Sequence, residues 1–399
     1  MKITKIEVFR MNEPHISNWH PVMCRVHTDE GIYGDGEAAV AYGIGSTAAF
    51  GMVQDLAQLI IGMDPLENEV IWQKLHRSTF WGQNGGGIFT AGMSAIDLAL
   101  WDIKGKYFGV PVYKLLGGKM NDNLRTYASQ LQFGWCDSIS PIFSTEEYVD
   151  SALRAVKQGY DAVKFDFFQF KPTGGGYTDA ERTTILTPRI LSQVVERVKA
   201  VREAVGPNVD IIMENHSLTD AQSSVQLAKA VEPYNIFYFE EPNTPDPQTA
   251  RYIRSMINLP IANGERIYTR WQYKYYFEDG SLQVAQPDLG TSGGITEVKK
   301  ICDMAYAYDV AIQIHACGTP ISTAAALHIE AAIPNFVIHE HHQINLTDFN
   351  IGLCKYNYQP ENGKFKVPEL PGLGNEWSDY VLTKTEKVTI EGEGSYWKM

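Results

Sequence analysis

The chain has 399 residues, 44% of them hydrophobic and 20% charged, with 47 acidic against 34 basic side chains and a net charge of −13. That length exceeds one small domain and suits a barrel with an added domain. The acidic balance argues against nucleic acid or an anionic membrane as main partner, but not against an anionic small molecule, since a bound cation inverts the local field.

Five scattered cysteines, Cys24, Cys136, Cys302, Cys317 and Cys354, show no CxxC spacing, which fits a reducing compartment. Met1 to Val8 alternates like a strand and lacks the apolar run of a secretory signal. No stretch reaches transmembrane length, so the expected setting is the cytoplasm.

Residues 1–40 read as a β-meander. Ile3, Ile6 and Val8 begin it, Val22 to Val26 and Ile32 to Tyr33 continue it, and Asp29-Glu30-Gly31 makes a turn. Helices are predicted at Thr47–Ile61 and Pro65–Leu75, followed by a glycine-rich loop from Trp81 to Gly87. Met93, Ile96, Leu100 and Ile103 then share one stripe of a helix over 90–107, which Gly109 and Pro111 end. Residues 1–124 thus form an α+β section.

From about residue 125 strands and helices alternate, the signature of a parallel sheet or barrel. Strand ends fall near Gln130, Asp166, Glu214, Glu240, Glu265, Asp288, His315 and Glu340. Eight strands is the number of a closed barrel. Two connections, Gln132 to Thr145 and Phe167 to Pro188, are long enough to be functional loops. The alternation stops after about residue 355, and 356–399 is expected to pack back on the first section.

The strand ends carry the chemistry. Glu214, Glu240 and Glu265 are spaced by 26 and 25 residues, one β/α unit each. They converge on the rim where barrel enzymes bind ligands. Three carboxylates stay close and ionised only with a cation, and hard oxygen ligands favour Mg²⁺ over Zn²⁺. Asp288 follows Glu265 by 23 residues and His315 follows Asp288 by 27, so the pair is a candidate general base, the carboxylate fixing the imidazole tautomer. Lys164 and Asp166 alternate onto one face. Lys164 either binds a substrate carboxylate or simply pairs with Asp166 or Glu214; Asp166 is a candidate substrate contact. Glu214 and His216 share a face in the same way. Glu340, ending the eighth strand, is a candidate to hydrogen-bond the substrate carboxylate. The histidines around it, His339, His341 and His342, do not make the helical HExxH pattern, so zinc is discounted.

Together these residues resemble the enolase superfamily, in its mandelate-racemase-like subgroup, over nearly the whole chain. Further matching stretches are Asp29 to Glu37, Ala95 to Lys106, Gly109 to Val112 and Leu115 to Gly118. The resemblance implies a modified (β/α)₇β barrel over 125–355, capped by an α+β domain of 1–124 and a C-terminal segment of 356–399. It implies Mg²⁺ on Glu214, Glu240 and Glu265, an Asp288–His315 dyad, and enolisation of a carboxylate substrate. Racemases of the subgroup carry Lys-x-Lys on the second strand, and Asp166 replaces the second lysine here. Glu214-Asn215-His216 replaces the common Asp-x-Asn; the histidine resembles that of galactonate and mannonate dehydratases, where it is the acid for the departing hydroxyl. His315 to Ile321 and Ala332 to Phe336 are also similar to galactonate dehydratases.

The reading that follows is an acid-sugar dehydratase converting an aldonate or aldarate to a 2-keto-3-deoxy acid, with His315, Asp288, His216 and Lys164 catalytic. Its rivals are a racemase or epimerase of a 2-hydroxy acid, disfavoured by Asp166, and a catalytically silent sugar-acid-binding homologue. A dimer or octamer is expected from the resemblance, and specificity is expected from loops Asn12–His20, Trp81–Gly87 and the two long barrel loops.

Overall fold

The computed structural model describes residues 1–11, 19–83, 85–136 and 139–392. The loop Asn12–His20 therefore lies largely outside the described residues, as does one position of Trp81–Gly87.

The meander is present as three antiparallel strands, β1 (Ile3–Arg10), β2 (Val22–Thr28) and β3 (Tyr33–Ala38). Three helices follow, α1 (Ser46–Ala57), α2 (Asn68–Ser78) and α3 (Gly87–Phe108). Each lies within a few residues of its predicted span. α3 packs on β3 at backbone distance: a Cβ on Gly34 would stand 2.0 Å from Ala99 O, and one on Gly36 1.9 Å from Ala95 O. Only glycine admits that approach, which accounts for Gly34-Asp35-Gly36. A fourth strand comes from the far end of the chain, where Glu386–Ile390 pairs antiparallel with β1.

Eight parallel strands form the second body: β4 (Asn123–Ser129), β5 (Ala162–Phe165), β6 (Asp210–Glu214), β7 (Ile236–Glu240), β8 (Ile261–Asn263), β9 (Val284–Ala285), β10 (Ala311–Ile312) and β11 (His339–His342). They neighbour one another in chain order, with β11 beside β4. The ring closes through the start of the last strand: Ile312 N–H donates to Asn335 O at 2.8 Å and Val337 N–H to Ile312 O at 3.0 Å. Among the described residues seven helices of ten or more residues link the strands: α4 (Thr145–Lys157), α5 (Pro188–Val205), α6 (Ala221–Val231), α7 (Pro247–Met256), α8 (Thr269–Glu278), α9 (Gly294–Tyr306) and α10 (Pro320–Ala331). This is a (β/α)₇β barrel.

Both faces of its strands are buried, so they read as apolar runs. Tyr127, Ala162, Ile212, Tyr238, Ala262, Val284 and Ile338 make one interior cluster, while Val163, Ile211, Met213 and Phe239 join the larger core of the surrounding helices. Beyond the barrel, Lys364–Lys366 pairs antiparallel with β4 rather than with the first section.

The first section docks at the carboxyl ends of β9 and β10. Ala39 N–H donates to Gly290 O at 3.0 Å. Buried Glu37 accepts from Thr319 N–H at 3.0 Å, Thr319 Oγ1 at 2.6 Å and Ser322 Oγ at 2.7 Å. Among the described residues no helix is long and apolar enough to cross a membrane.

Candidate active site

Glu214 is the last residue of β6 and Glu240 the last of β7, and the two pair directly across the ladder. Glu265 comes two residues after β8, in a turn. One oxygen of each lies within 4.8 Å of the others. Glu214 Oε1 accepts the N–H groups of Asn215 at 3.0 Å and His216 at 2.7 Å. Glu265 Oε1 rests against Arg266 Nη1, which also meets Oε2 of buried Glu241.

Lys164 Nζ stands 3.2 Å from Glu214 Oε2, 2.7 Å from Glu240 Oε1 and 2.9 Å from Glu340 Oε1. The lysine is buried, and although burial opposes its charge, Glu240, Glu340 and Glu214 hold it well above the usual lysine range. Of the sequence alternatives for Lys164, the ion pair with Glu214 is present, extended to two more acids.

One lysine does not balance this cluster. Burial, and then the charge of Glu214, push Glu240 well above the usual carboxylate range. Burial acts the same way on Glu214, but His216 and Lys164 draw it below. Buried Glu240 Oε2 has no hydrogen-bond partner, and Glu214 Oε2 has only the ion pair with Lys164. Unused acceptors on an all-oxygen, over-negative set fit a hard divalent cation.

On one side of the triad, Asp288 and His315 lie three residues past β9 and β10 and are joined by an isolated bridge. His315 Nδ1 is 2.6 Å from Asp288 Oδ2, and its Nε2 is 3.1 Å from Glu265 Oε2. Burial opposes protonation of His315, yet Glu265 and Asp288 outweigh it and hold the imidazole well above its usual value. Gly290 N–H donates to Asp288 Oδ1 at 2.6 Å and fixes the aspartate in turn.

The other side corrects the alternation argument for His216. β6 ends at Glu214, and His216 has left-handed φ of 48°. A bend, not strand pleat, aims its ring. His216 Nδ1 is 3.0 Å from Asp166 Oδ2 and its Nε2 is 3.1 Å from Gln130 Nε2. Burial lowers its pKa, but Glu214 and Asp166 win and push it up to about 9.

Sequence reasoning put Asp166 and Glu340 on the substrate; the structure gives both carboxylates protein partners. Asp166 Oδ1 accepts Phe168 N–H at 3.0 Å while Oδ2 faces His216. Glu340 Oε1 accepts from Ser129 Oγ at 2.6 Å, and Oε2 accepts Ala316 N–H at 3.1 Å. Asp166 thereby completes a second Asp–His pair, and Glu340 anchors Lys164. His339 and His341 turn away from the site, Nδ1 of the first to Glu330 at 2.7 Å and of the second to Tyr160 Oη at 2.6 Å. Sequence reasoning missed Gln130 and Gln132 as site groups, together with Ser129, Glu241 and Arg266. The available signals were the place of Gln130 at a predicted strand end and the adjacency of Arg266 to Glu265 and of Glu241 to Glu240.

Comparison with known proteins finds relatives along nearly the whole chain. The family described as mandelate racemase / muconate lactonizing enzyme, N-terminal domain, matches residues 4–117, and the one described as enolase C-terminal domain-like matches residues 147–381. A D-galactonate dehydratase of Ralstonia nicotianae is 33% identical over 405 residues, covering 100% of this chain and 98% of the relative. A solved structure of an enolase superfamily member from Salmonella Typhimurium is 51% identical with a TM-score of 0.94, covering 98% of this chain and 99% of that one. The 3,6-anhydro-D-galactonate cycloisomerase of Zobellia galactanivorans is 28% identical with a TM-score of 0.80, covering 97% and 100%.

Proposed function

The chain belongs to the enolase superfamily, in its mandelate racemase/muconate lactonizing enzyme branch, and from the site it carries we propose that it is a Mg²⁺-dependent acid-sugar dehydratase. It removes the C2 proton and C3 hydroxyl of an aldonate or aldarate and gives a 2-keto-3-deoxy acid. The observation that carries this reading is the pair of Asp–His couples, Asp288–His315 and Asp166–His216, flanking one carboxylate triad. β-Elimination of water needs a base for carbon and an acid for oxygen.

Glu214, Glu240 and Glu265 would hold Mg²⁺, which when bound supplies a Lewis acid for the substrate carboxylate. His315 takes the C2 proton, with Asp288 fixing its ring. Lys164, locked among three acids, supplies positive charge where charge develops on the substrate. His216 gives its proton to the C3 hydroxyl as the C3–O bond breaks, and water leaves. The enol so formed ketonises. The D-galactonate dehydratases among the relatives support the acid-sugar class.

A second reading, racemase or epimerase, gains from the same His216: it restores a titratable group opposite His315, where Asp166 alone would not. One experiment separates them. Purified protein with Mg²⁺ is screened against hexonates, pentonates and aldarates for 2-keto products and for inversion at C2. Keto product supports dehydration; inversion alone supports the rival. Neither, across the panel, removes both.

A further inference from the structure

One strand end of the first section touches both loops that carry the Asp288–His315 pair. β3 ends at Ala38, and Glu37 just before it is 0% exposed. The Glu37 carboxylate accepts from the stretch that follows His315: Thr319 N–H donates to both oxygens at 3.0 Å, Thr319 Oγ1 to Oε2 at 2.6 Å and Ser322 Oγ to Oε2 at 2.7 Å. Just past the strand, Ala39 N–H donates to Gly290 O at 3.0 Å, and Gly290 N–H in turn donates to Asp288 Oδ1 at 2.6 Å. Both contacts are close. A Cβ on Gly290 would stand 2.3 Å from Ala39 Cβ, and one on Gly318 3.1 Å from Glu37 Oε1. Neither glycine has a left-handed φ, so what each supplies is room for the other chain rather than backbone freedom.

A buried acid is a costly way to hold two surfaces together, because it loses its water and must be met by donors. It gives direction that apolar packing does not: three donors converge on two oxygens and fix Thr319 against β3 within hydrogen-bond tolerance. Thr319 comes four residues after His315, and Gly290 two after Asp288. The His315 loop has two further ties, Ala316 N–H to Glu340 Oε2 at 3.1 Å and Asn350 Nδ2 to Gly318 O at 3.2 Å. Neither tie reaches the Asp288 loop. The end of β3 reaches both, and so serves as a common reference for the 2.6 Å contact between His315 Nδ1 and Asp288 Oδ2. We propose that Glu37 is a positioning residue: together with Ala39 it holds the two loops in the register that brings Asp288 and His315 together. Its effect on rate rests on the reading of His315 as the base; its effect on the pair's geometry does not.

Two readouts test this in the full chain. One is the downfield proton resonance of the His315 Nδ1–H held by Asp288, identified by its loss in His315→Asn. The other is C2-proton exchange in D₂O with Mg²⁺ and D-galactonate as first probe, or the acid sugar the panel returns. In folded Glu37→Ala the resonance should be lost, and kcat for exchange should fall about 10- to 10²-fold, the cost of a misplaced group, with KM within about 2-fold of the parent. Glu37→Gln keeps an acceptor for Thr319 and should recover most of both. Asp102→Ala is the control for general loosening: Asp102 is as buried as Glu37, but its partners Asp35, Lys106 and Leu373 lie outside both loops. It should lower the melting temperature and leave both readouts in place. Gly290→Ala drives Ala39 and the Asp288 loop apart, should also lose the resonance, and decides the matter where Glu37→Ala does not fold. A resonance like the parent's in folded Glu37→Ala, or failing that variant in Gly290→Ala, overturns the inference, as does its equal loss in Asp102→Ala. If the resonance behaves as expected and no acid sugar exchanges its C2 proton, the dehydratase reading falls and the positioning role stands.

Discussion

At the scale of single residues, the site is a contest between burial and paired charge. His315 is the clearest case: burial disfavours its cation, and two carboxylates, Glu265 and Asp288, overrule it. His315→Asn should abolish both C2 exchange and elimination, because it removes the proposed base and no other described group is placed to take that proton with a carboxylate behind it on this side. Asp288→Asn should leave KM near its parent value and lower kcat about 10²-fold or more, since the amide misplaces the ring's protons. C2 exchange at the parent rate in His315→Asn would transfer the base role elsewhere. Much of this was legible in sequence: acids at regular intervals after apolar runs pointed to Glu214, Glu240, Glu265, Asp288 and His315. The partners of Asp166 and Glu340 were not legible. Strand alternation predicts which way a side chain points, and nothing in it encodes what arrives from another loop. The bend at His216 breaks the alternation altogether.

At the scale of elements, the cap and barrel are joined by helix ends. α9 has Gly293 at its N-cap and no side-chain cap of its own. The orphan N–H groups of its first turn are met from α3: Ser94 Oγ accepts from Gly293 at 2.8 Å and Gly294 at 3.0 Å, and Asp97 Oδ2 accepts Thr296 N–H at 2.9 Å. An acid borrowed from another helix thus does the work that a local Ser or Asp normally does. Asp97→Ala should cost about 1–3 kcal/mol, the penalty for a buried donor left alone, and Asp97→Asn, which keeps an acceptor, clearly less. Urea unfolding midpoints decide this; equal midpoints for Asp97→Ala and the parent would show that water replaces the carboxylate at no cost. The sequence displayed Ala95 to Lys106 as a family-like stretch, and its helical stripe was readable. Why Asp97 sits among the buried residues of that helix was not, because the reason is a helix nearly two hundred residues further on. The β/α units were readable to within about three residues of their ends even though β9 and β10 are two residues long, since doubly buried strands leave apolar runs.

At the scale of the whole molecule, stability is linked to protons and to metal. Burial pulls His328 down to about 4. Its Nε2–H donates to Leu373 O at 3.1 Å, and its Nδ1 accepts Tyr113 N–H at 3.4 Å. Burial likewise pulls His341 down to about 3. Unfolded histidine titrates near 6.5, so below that pH the unfolded chain takes up protons the folded chain refuses. What these two histidines contribute to stability is complete above about pH 6.5 and falls as the pH drops toward 4, by about 1.4 kcal/mol per pH unit for each. His328→Gln, which keeps a donor and an acceptor, should flatten the loss of stability between pH 6.5 and 4.5; an unchanged slope would exclude His328 as its source. Metal acts in the opposite sense. Glu214, Glu240 and Glu265 come from three strands that meet only in the closed barrel, so a divalent cation held by all three binds the folded chain alone. At 100 times its Kd it stabilises by about 2.7 kcal/mol. The chain carries a net charge of −13, so any salt relieves some repulsion, and NaCl at matched ionic strength is the needed comparison. Mg²⁺ should raise the melting temperature beyond that control, and Glu240→Gln should erase the difference. Chelation should abolish turnover and Mg²⁺ restore it. The same rise with NaCl, or full turnover in excess chelator, would mean that Lys164, Arg266 and the two histidines neutralise the triad unaided.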